Sequence, residues 1–312
     1  VLLGNVVNSA NEKAVLIVLD LETGAVIRQI DTGAGSSSTP NGLSAPTGVY
    51  AADGKTLIYA YAGDMLGNVW KFDLTSSSPA SWSAKKIFNA TKSVAQPITS
   101  ALTLATDPVT RKLWVFFGTG RFMTTGDADD KTASAQSMYG FIDENQASPY
   151  GRANLTARSV TVSGTSRYFD DKAPLAASSK GWYVDLPGAG ERIVQDAQIA
   201  STFLITASMI PEGDACDASG TGYINAIDAF TGTSGGTSYF DLDGNGSTDD
   251  TAAGGKPLGS VNLGVGMPTR PILLPGQIVV GGTGDGTAAG LGGSDSGGMQ
   301  WGRVSWREVR KD

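Results

Sequence analysis

The sequence predicts an all-β chain, arranged as a modified β-propeller of about six or seven blades with long loop insertions. Three observations carry that expectation. A segment ending in an apolar residue and aspartate, followed by a turn, recurs along the chain. Short runs rich in β-branched and aromatic residues lie between these anchors, and no stretch of about 12 residues shows a helical amphipathic period. Glycine supplies 42 of the 312 residues, which suits many tight turns joining short elements.

The first clear copy of the recurring unit is residues 14–20 (AVLIVLD), ahead of Leu21-Glu22-Thr23-Gly24. It returns at 67–73 (GNVWKFD), more weakly at 138–143 (MYGFID) and 181–185 (GWYVD), and clearly again at 222–228 (GYINAID) before Ala229-Phe230-Thr231-Gly232. Anchors separated by roughly 40 to 70 residues fit blades of four short antiparallel strands with insertions. The aspartate turns the chain into a hairpin, and Thr-Gly completes the turn. Further strands are expected at 56–62, 112–117, 202–207 and 277–280. Residues 31–48 read as a Gly-, Ser- and Pro-containing loop. Three further loops, 144–180, 231–260 and 281–298, read as excursions able to extend beyond the compact core.

Composition removes several function classes. Lys and Arg number 23 against 30 Asp and Glu, giving a net charge of −7 with no basic block, so nucleic acid is not an expected partner. No stretch is long and apolar enough to serve as a transmembrane helix. The chain has no histidine, which excludes Ser-His-Asp and Cys-His catalysis and histidine-bearing zinc sites. Cys216 is the lone cysteine, so an internal disulfide framework is excluded. It reads either as an inert free thiol or as a partner for a cysteine elsewhere.

One segment points to metal chemistry. Residues 241–250 (DLDGNGSTDD) set Asp241, Asp243 and Asn245 at positions one, three and five of a calcium loop. Glycine stands at position six, the Ser247 carbonyl at seven and Asp249 at nine. Ala252 stands at position twelve, where an EF-hand has glutamate, and no helices flank the loop. The expectation is one Ca²⁺ held by Asp241, Asp243, Asn245, Ser247 and Asp249 in a surface loop, closed by Asp249 or Asp250. An ordinary turn is the competing reading, since Asp, Asn and Gly favour turns without metal. Four carboxylates within ten residues repel one another, which an ordinary turn gives no reason to accept.

Several motifs together resemble the C-terminal propeller of the PilY1/PilC family of the type IV pilus system. They are NGLSAPT at 41–47, YAYAGD at 59–64, LGNVWKFD at 66–73, QPIT at 96–99 and FGTGR at 117–121. GWYVDL at 181–186, GER at 190–192, the loop ending at Cys216 and GRVSWRE at 302–308 extend the likeness over nearly the whole chain. The resemblance implies that residues 1–312 are one propeller domain, the C-terminal fragment of a larger secreted protein. Such a protein sits in the periplasm, at the outer-membrane surface or at the pilus tip. It associates with minor pilins and other pilus components, promotes pilus assembly and counters retraction under calcium control. In some members it supports twitching motility or adhesion to host or abiotic surfaces. A second acidic loop that some relatives carry corresponds here to residues 49–55 (VYAADGK), which lack alternating ligands, so no metal is expected there. No Arg-Gly-Asp motif is present, which leaves integrin-directed adhesion unsupported.

The expected protein is not an enzyme. The rival reading is a quinoprotein-like dehydrogenase propeller, with Asp64 or Asp127 as base; a paired-carboxylate glycosidase is weaker, since nothing fixes two carboxylates at the required separation. The stretch from Asp127 to Asp130 reads as a solvated loop or, less readily, a cation site. Trp70, Trp182, Trp301 and Trp306 read as blade-core residues or exposed anchors, and Arg303, Arg307 and Arg310 as structural.

Overall fold

The computed structural model describes residues 1–130, 136–170, 172–212, 219–284 and 289–293. The first sheet is β1-β2-β3 (Leu2–Gly4, Val15–Leu19, Val26–Asp31), and the second is β4-β5-β6-β7 (Thr47–Tyr50, Leu57–Gly63, Asn68–Asp73, Ser83–Asn89). Next come β8 (Thr103–Thr106), β9 (Leu113–Gly118), β10 (Ser137–Ile142), β11 (Thr156–Arg158), β12 (Val160–Ser163), β13 (Ser166–Phe169) and β14 (Gly181–Asp185). The third sheet has the order β11-β14-β10-β9-β8, with β11 parallel to β14. The strands β15 (Gln198–Ala200), β16 (Phe203–Glu212), β17 (Ser219–Asp228), β18 (Phe240–Asp241), β19 (Thr251–Ala252), β20 (Lys256–Pro257) and β21 (Ser260–Val261) follow. The fourth sheet is β12-β13-β21-β17-β16-β15. With β22 (Ile272–Leu274), β23 (Gln277–Val280) and β24 (Ala289–Gly293), the fifth is β18-β24-β23-β22. All nine stretches expected to be strands are strands.

The second, third and fourth sheets bury both faces, because side chains alternate sides along a strand, while the first and fifth each pack one face inward. In β9, Trp114 and Phe116 point to one interface, while Val115 and Phe117 point to the opposite one. In β16, Phe203, Ile205 and Ala207 face the fifth sheet's core, and Leu204 faces back toward the third sheet. Four apolar clusters result, one between each consecutive pair of sheets. Between the second and third sheets, Phe88 stacks on Phe141 at 4.7 Å between centroids and Phe117 on Tyr139 at 5.0 Å. This succession of face-packed sheets is propeller architecture. The described residues form five sheets of three or more strands. The six or seven blades expected for a chain of this length compare with these five sheets, the fourth of which is enlarged to six strands where β21 joins β12–β13 to β15–β17.

The recurring aspartates act as turn-makers. Asp20 Oδ1 accepts from the Glu22 and Thr23 amides and the Thr23 hydroxyl, and Asp228 Oδ1 repeats this with Phe230 and Thr231. Asp73 does the same with Thr75. The two weaker copies also take part in ion pairs, although Asp143 Oδ1 still accepts from the Asn145 amide as a turn-maker. Asp143 binds Lys71 and the Tyr61 hydroxyl, and Asp185 binds Arg152, Lys92 and Ser137. Asp53, in the stretch given no metal, accepts from Lys55 and Thr56 and closes an ordinary exposed turn.

The 144–180 region departs from expectation. Instead of leaving the core, it supplies β11, β12 and β13, and Arg158, Arg167 and Phe169 are buried. Its polar residues mislead because their partners lie far away in sequence: Arg158 donates to the Thr231 and Ala173 carbonyls, and Arg167 pairs with Glu191. Trp70 and Trp182 are buried, as blade-core residues should be. Trp301, Trp306, Arg303, Arg307, Arg310 and Cys216 lie outside the described residues.

Two acidic groups set an acid limit on this fold. Hydrogen bonds from Lys180 and Lys112 pull the Glu144 carboxyl down to about 2. At Asp127, burial acts to raise the value, but Arg121 and the Met123 and Thr124 amides outweigh it and the carboxyl lies at about 2. A depressed folded value contributes stability above the unfolded value, near 4, that is lost as pH falls toward the folded one. The urea midpoint is therefore expected to hold from neutral pH to about pH 5 and to fall between roughly pH 4 and pH 2. A midpoint unchanged across that acid window would contradict this assignment.

Candidate metal centre

The acidic loop grows out of the fifth sheet. Tyr239 and Phe240 are buried in the cluster between the fourth and fifth sheets, and Asp241 follows them as the last residue of β18. Its side chain is therefore delivered at a fixed point, 7% exposed, beside Gly292 of β24. The far end is anchored too. The Ser238 hydroxyl donates to the Asp250 carbonyl at 2.6 Å and accepts from the Leu258 amide at 2.6 Å. β19 then begins at Thr251 and pairs with β20. Both ends of the loop are thus tied to one rigid base.

Between these anchors the backbone folds onto the carboxylates. Asp241 Oδ1 accepts from the Gly244 amide at 2.8 Å, and Oδ2 from the Gly246 amide at 3.0 Å. Gly246 has φ of 86°, in the left-handed region that favours glycine, and open space around it. Asp243 accepts from the Asn245 amide at 3.0 Å and from its carboxamide at 2.9 Å. Asn245 Oδ1 in turn accepts from the Ser247 amide at 2.7 Å. Asp250 Oδ2 accepts from the amides of Leu242 and Asp243.

Asp241, Asp243 and Asp250 each place a carboxylate oxygen within 4.8 Å of the others. Calcium–oxygen distances of about 2.3–2.6 Å put opposed ligands roughly 5 Å apart, so the spacing and the all-oxygen donor set fit a calcium ion. Of the residues expected from sequence, Asp241 and Asp243 are in this group. Asn245 is hydrogen-bonded to Asp243, and Ser247 adjoins it through its amide. Asp249 is exposed and stands outside the carboxylate group, where Asp250 takes the closing place. Alternation along the loop points to 249. The Leu242 and Asp243 amides hold the Asp250 carboxylate inward, while the Ser238 contact and the β19–β20 pairing, set by residues beyond the motif, fix its backbone.

The two aspartates considered as bases have their oxygens engaged. Asp64, fully buried, accepts through Oδ1 from the Leu66 and Asn68 amides and through Oδ2 from Asn41, Asn68 and the Trp70 indole. Asp127 accepts from Arg121, Met123 and Thr124. It is also buried within a short helix, Thr125–Asp129, rather than in a solvated loop, because its carboxylate caps that helix's own N-terminus. Nearby, Arg192 spends its guanidinium on the carbonyls of Arg121, Asp127, Asp130 and Gly190, fixing this helix to the propeller.

Comparison with known proteins places this architecture. A family profile described as the PilY1 beta-propeller domain matches residues 2–171. A type IV pilus biogenesis factor PilY1 homolog from Xylella fastidiosa is 34% identical over 319 aligned residues, covering 99% of this chain and 25% of the relative. The type IV pilus biogenesis factor PilY1 of Pseudomonas aeruginosa PAO1 is 28% identical, covering 80% of this chain and 26% of the relative. The chain thus spans about a quarter of the length of these relatives. The crystal structure of the Pseudomonas aeruginosa PilY1 C-terminal domain superposes with a TM-score of 0.78 at 24% identity, covering 94% of this chain and 68% of that one. With more than half its length matched by the profile and its face-packed sheets shared with that crystal structure, the chain belongs to the PilY1 β-propeller domain family.

Proposed function

We propose that this chain is the calcium-responsive scaffold domain of a type IV pilus biogenesis factor, acting outside the cytoplasm on minor pilins and other pilus components. The reading extends to retraction control, twitching motility and, through the same surface, adhesion. The carrying observation is the convergence of Asp241, Asp243 and Asp250 in a family whose named members are pilus biogenesis factors.

Without metal these carboxylates repel one another and hold the loop open to fluctuation. One Ca²⁺ neutralises them and orders the segment from 241 to 250 on the edge of the fifth sheet, changing the surface offered to a partner. Because both loop ends are tied to Ser238 and Phe240, binding also stabilises the folded domain by mass action. Asp241, Asp243 and Asp250 would hold the ion, with oxygen from Asn245 and Ser247 completing the shell.

Calorimetric titration of the chain with calcium is expected to show one site, and the D241A/D243A double variant to lose the binding heat. An unchanged heat in that variant rejects the site. Pull-down of minor pilins with and without calcium tests the scaffold role separately, and capture indifferent to calcium would remove the regulatory part.

A further inference from the structure

We infer that Asn245–Gly246 is a site of spontaneous deamidation, guarded by the folded acidic loop, and that the chain carries its own internal control at Asn41–Gly42. These are the two Asn-Gly dipeptides in the sequence. The pair matters because a glycine nitrogen, with no side chain beside it, can reach the preceding carboxamide carbon and close a five-membered ring.

The two dipeptides sit in opposite environments. Asn41 is 2% exposed, and its carboxamide donates to the Ala34 carbonyl and to Asp64. Its Oδ1 accepts from the Gly42 amide, so the attacking nitrogen is bound to the wrong atom of the target group. A Cβ on Gly42 would fall 1.4 Å from the Val6 carbonyl oxygen, which leaves no room for the ring to form. Asn245 and Gly246 are both exposed, and nothing lies within 4 Å of the Gly246 Cβ position. The Asn245 carboxamide is held only by exposed loop neighbours, donating to Asp243 at 2.9 Å and accepting from the Ser247 amide at 2.7 Å, and the attacking nitrogen is restrained by the Gly246 amide donating to Asp241 Oδ2 at 3.0 Å. Stripping a proton from that nitrogen beside a carboxylate sets two negative charges together, so the contact must open first. Exposed loops open locally at a small fraction of the cost of global unfolding.

Once free, the Gly246 nitrogen gives its proton to solvent base and attacks Cγ of Asn245. A C–N bond forms and the carboxamide nitrogen leaves as ammonia, giving a succinimide. Water then opens the ring at either carbonyl, leaving aspartate or isoaspartate at 245. The net change is one water consumed and one ammonia released. Aspartate adds a negative charge to the loop, and isoaspartate inserts a methylene into its backbone and moves residues 247–250 relative to Asp241. The consequence for metal binding rests on the calcium reading above; the conversion itself does not.

The test is to age the full chain in mildly alkaline, metal-free buffer and map peptides by mass spectrometry with an isoaspartate-specific methylation assay. Conversion is expected at Asn245, with Asn41 intact in the same sample. In D241A, conversion at Asn245 is expected to rise about tenfold or more, the factor one hydrogen bond to a carboxylate carries, with Asn41 still intact as proof that the fold survives. Equal conversion at both sites overturns the proposal. So does an unconverted Asn245 under conditions where a free peptide of residues 239–250 converts, or a D241A rate no faster than the parent's. Loss of the calcium heat would leave all three readouts in place, so the two proposals fail separately.

Discussion

Asp64→Ala is expected to destabilise the domain by about 4 kcal/mol or more, the largest effect of any single side-chain truncation at a hairpin here. The carboxylate is fully buried and serves five donors: the Leu66 and Asn68 amides, the Asn41 and Asn68 carboxamides and the Trp70 indole. A hydrogen bond to a charged group contributes about 1.5–3 kcal/mol, and a buried donor left without an acceptor adds its own desolvation cost. The effects are not additive, because the five donors share one group. Asp64→Asn is expected to fare little better, since either orientation of the amide turns an NH₂ toward N–H donors. The turn it closes has no alternative either: Gly67, at φ 77°, would place a Cβ 2.6 Å from the Ala90 carbonyl. Urea denaturation followed by tryptophan fluorescence checks this, with exposed Asp53→Ala as the contrast, expected to leave the midpoint close to the parent's. A parent-like midpoint for Asp64→Ala would show that the hairpin is held by its apolar flanks alone.

Asp64 also marks how far the sequence can be read. The run from Tyr59 to Asp73 shows its strands openly, because alternation in β5 and β6 and the glycine between them are local signals. The structure adds which face each residue buries: Trp70 and Phe72 turn one way and Val69 the other. The role of Asp64 is not legible in the sequence, since three of its donors come from side chains up to 23 residues away. The same limit governs the acidic loop. Asp241 and Asp243 follow from the motif alone, whereas the choice of Asp250 over Asp249 depends on a backbone anchored at Ser238 and β20, neither of which belongs to the motif. It governs the 144–180 region most strongly. Arg167 has the composition of a surface residue and becomes a core residue only because Glu191, 24 positions on, returns beside it. Local periodicity is visible in a sequence, and burial of charge is not, because it depends on a partner that only the fold supplies.

That buried pair supports the second large expectation: Glu191→Ala should cost about 3–5 kcal/mol. Arg167 Nη1 and Nη2 bind the two Glu191 oxygens at 2.7 and 3.0 Å, and the two side chains are 3% and 0% exposed. The Ser208 hydroxyl and the Gly188 amide complete the carboxylate's shell, and the guanidinium lies 3.3 Å from the centroid of the Tyr223 ring. Removing the carboxylate strands a buried guanidinium with its charge unpaired. The parallel loss at Arg167→Ala leaves a carboxylate that keeps its Ser208 and Gly188 donors, so the smaller cost is expected there. Replacing both together, as Arg167→Met with Glu191→Leu, should recover most of the loss, because two well-packed apolar side chains avoid the desolvation that the ion pair must offset. A double variant as unstable as Glu191→Ala would instead mean that the pair fixes the position of β13 against the 186–193 segment, and that its hydrogen bonds to Ser208 and Gly188 matter more than its charge. The urea midpoints of the three variants and the parent decide between these two accounts of why a charged pair persists between the sheets.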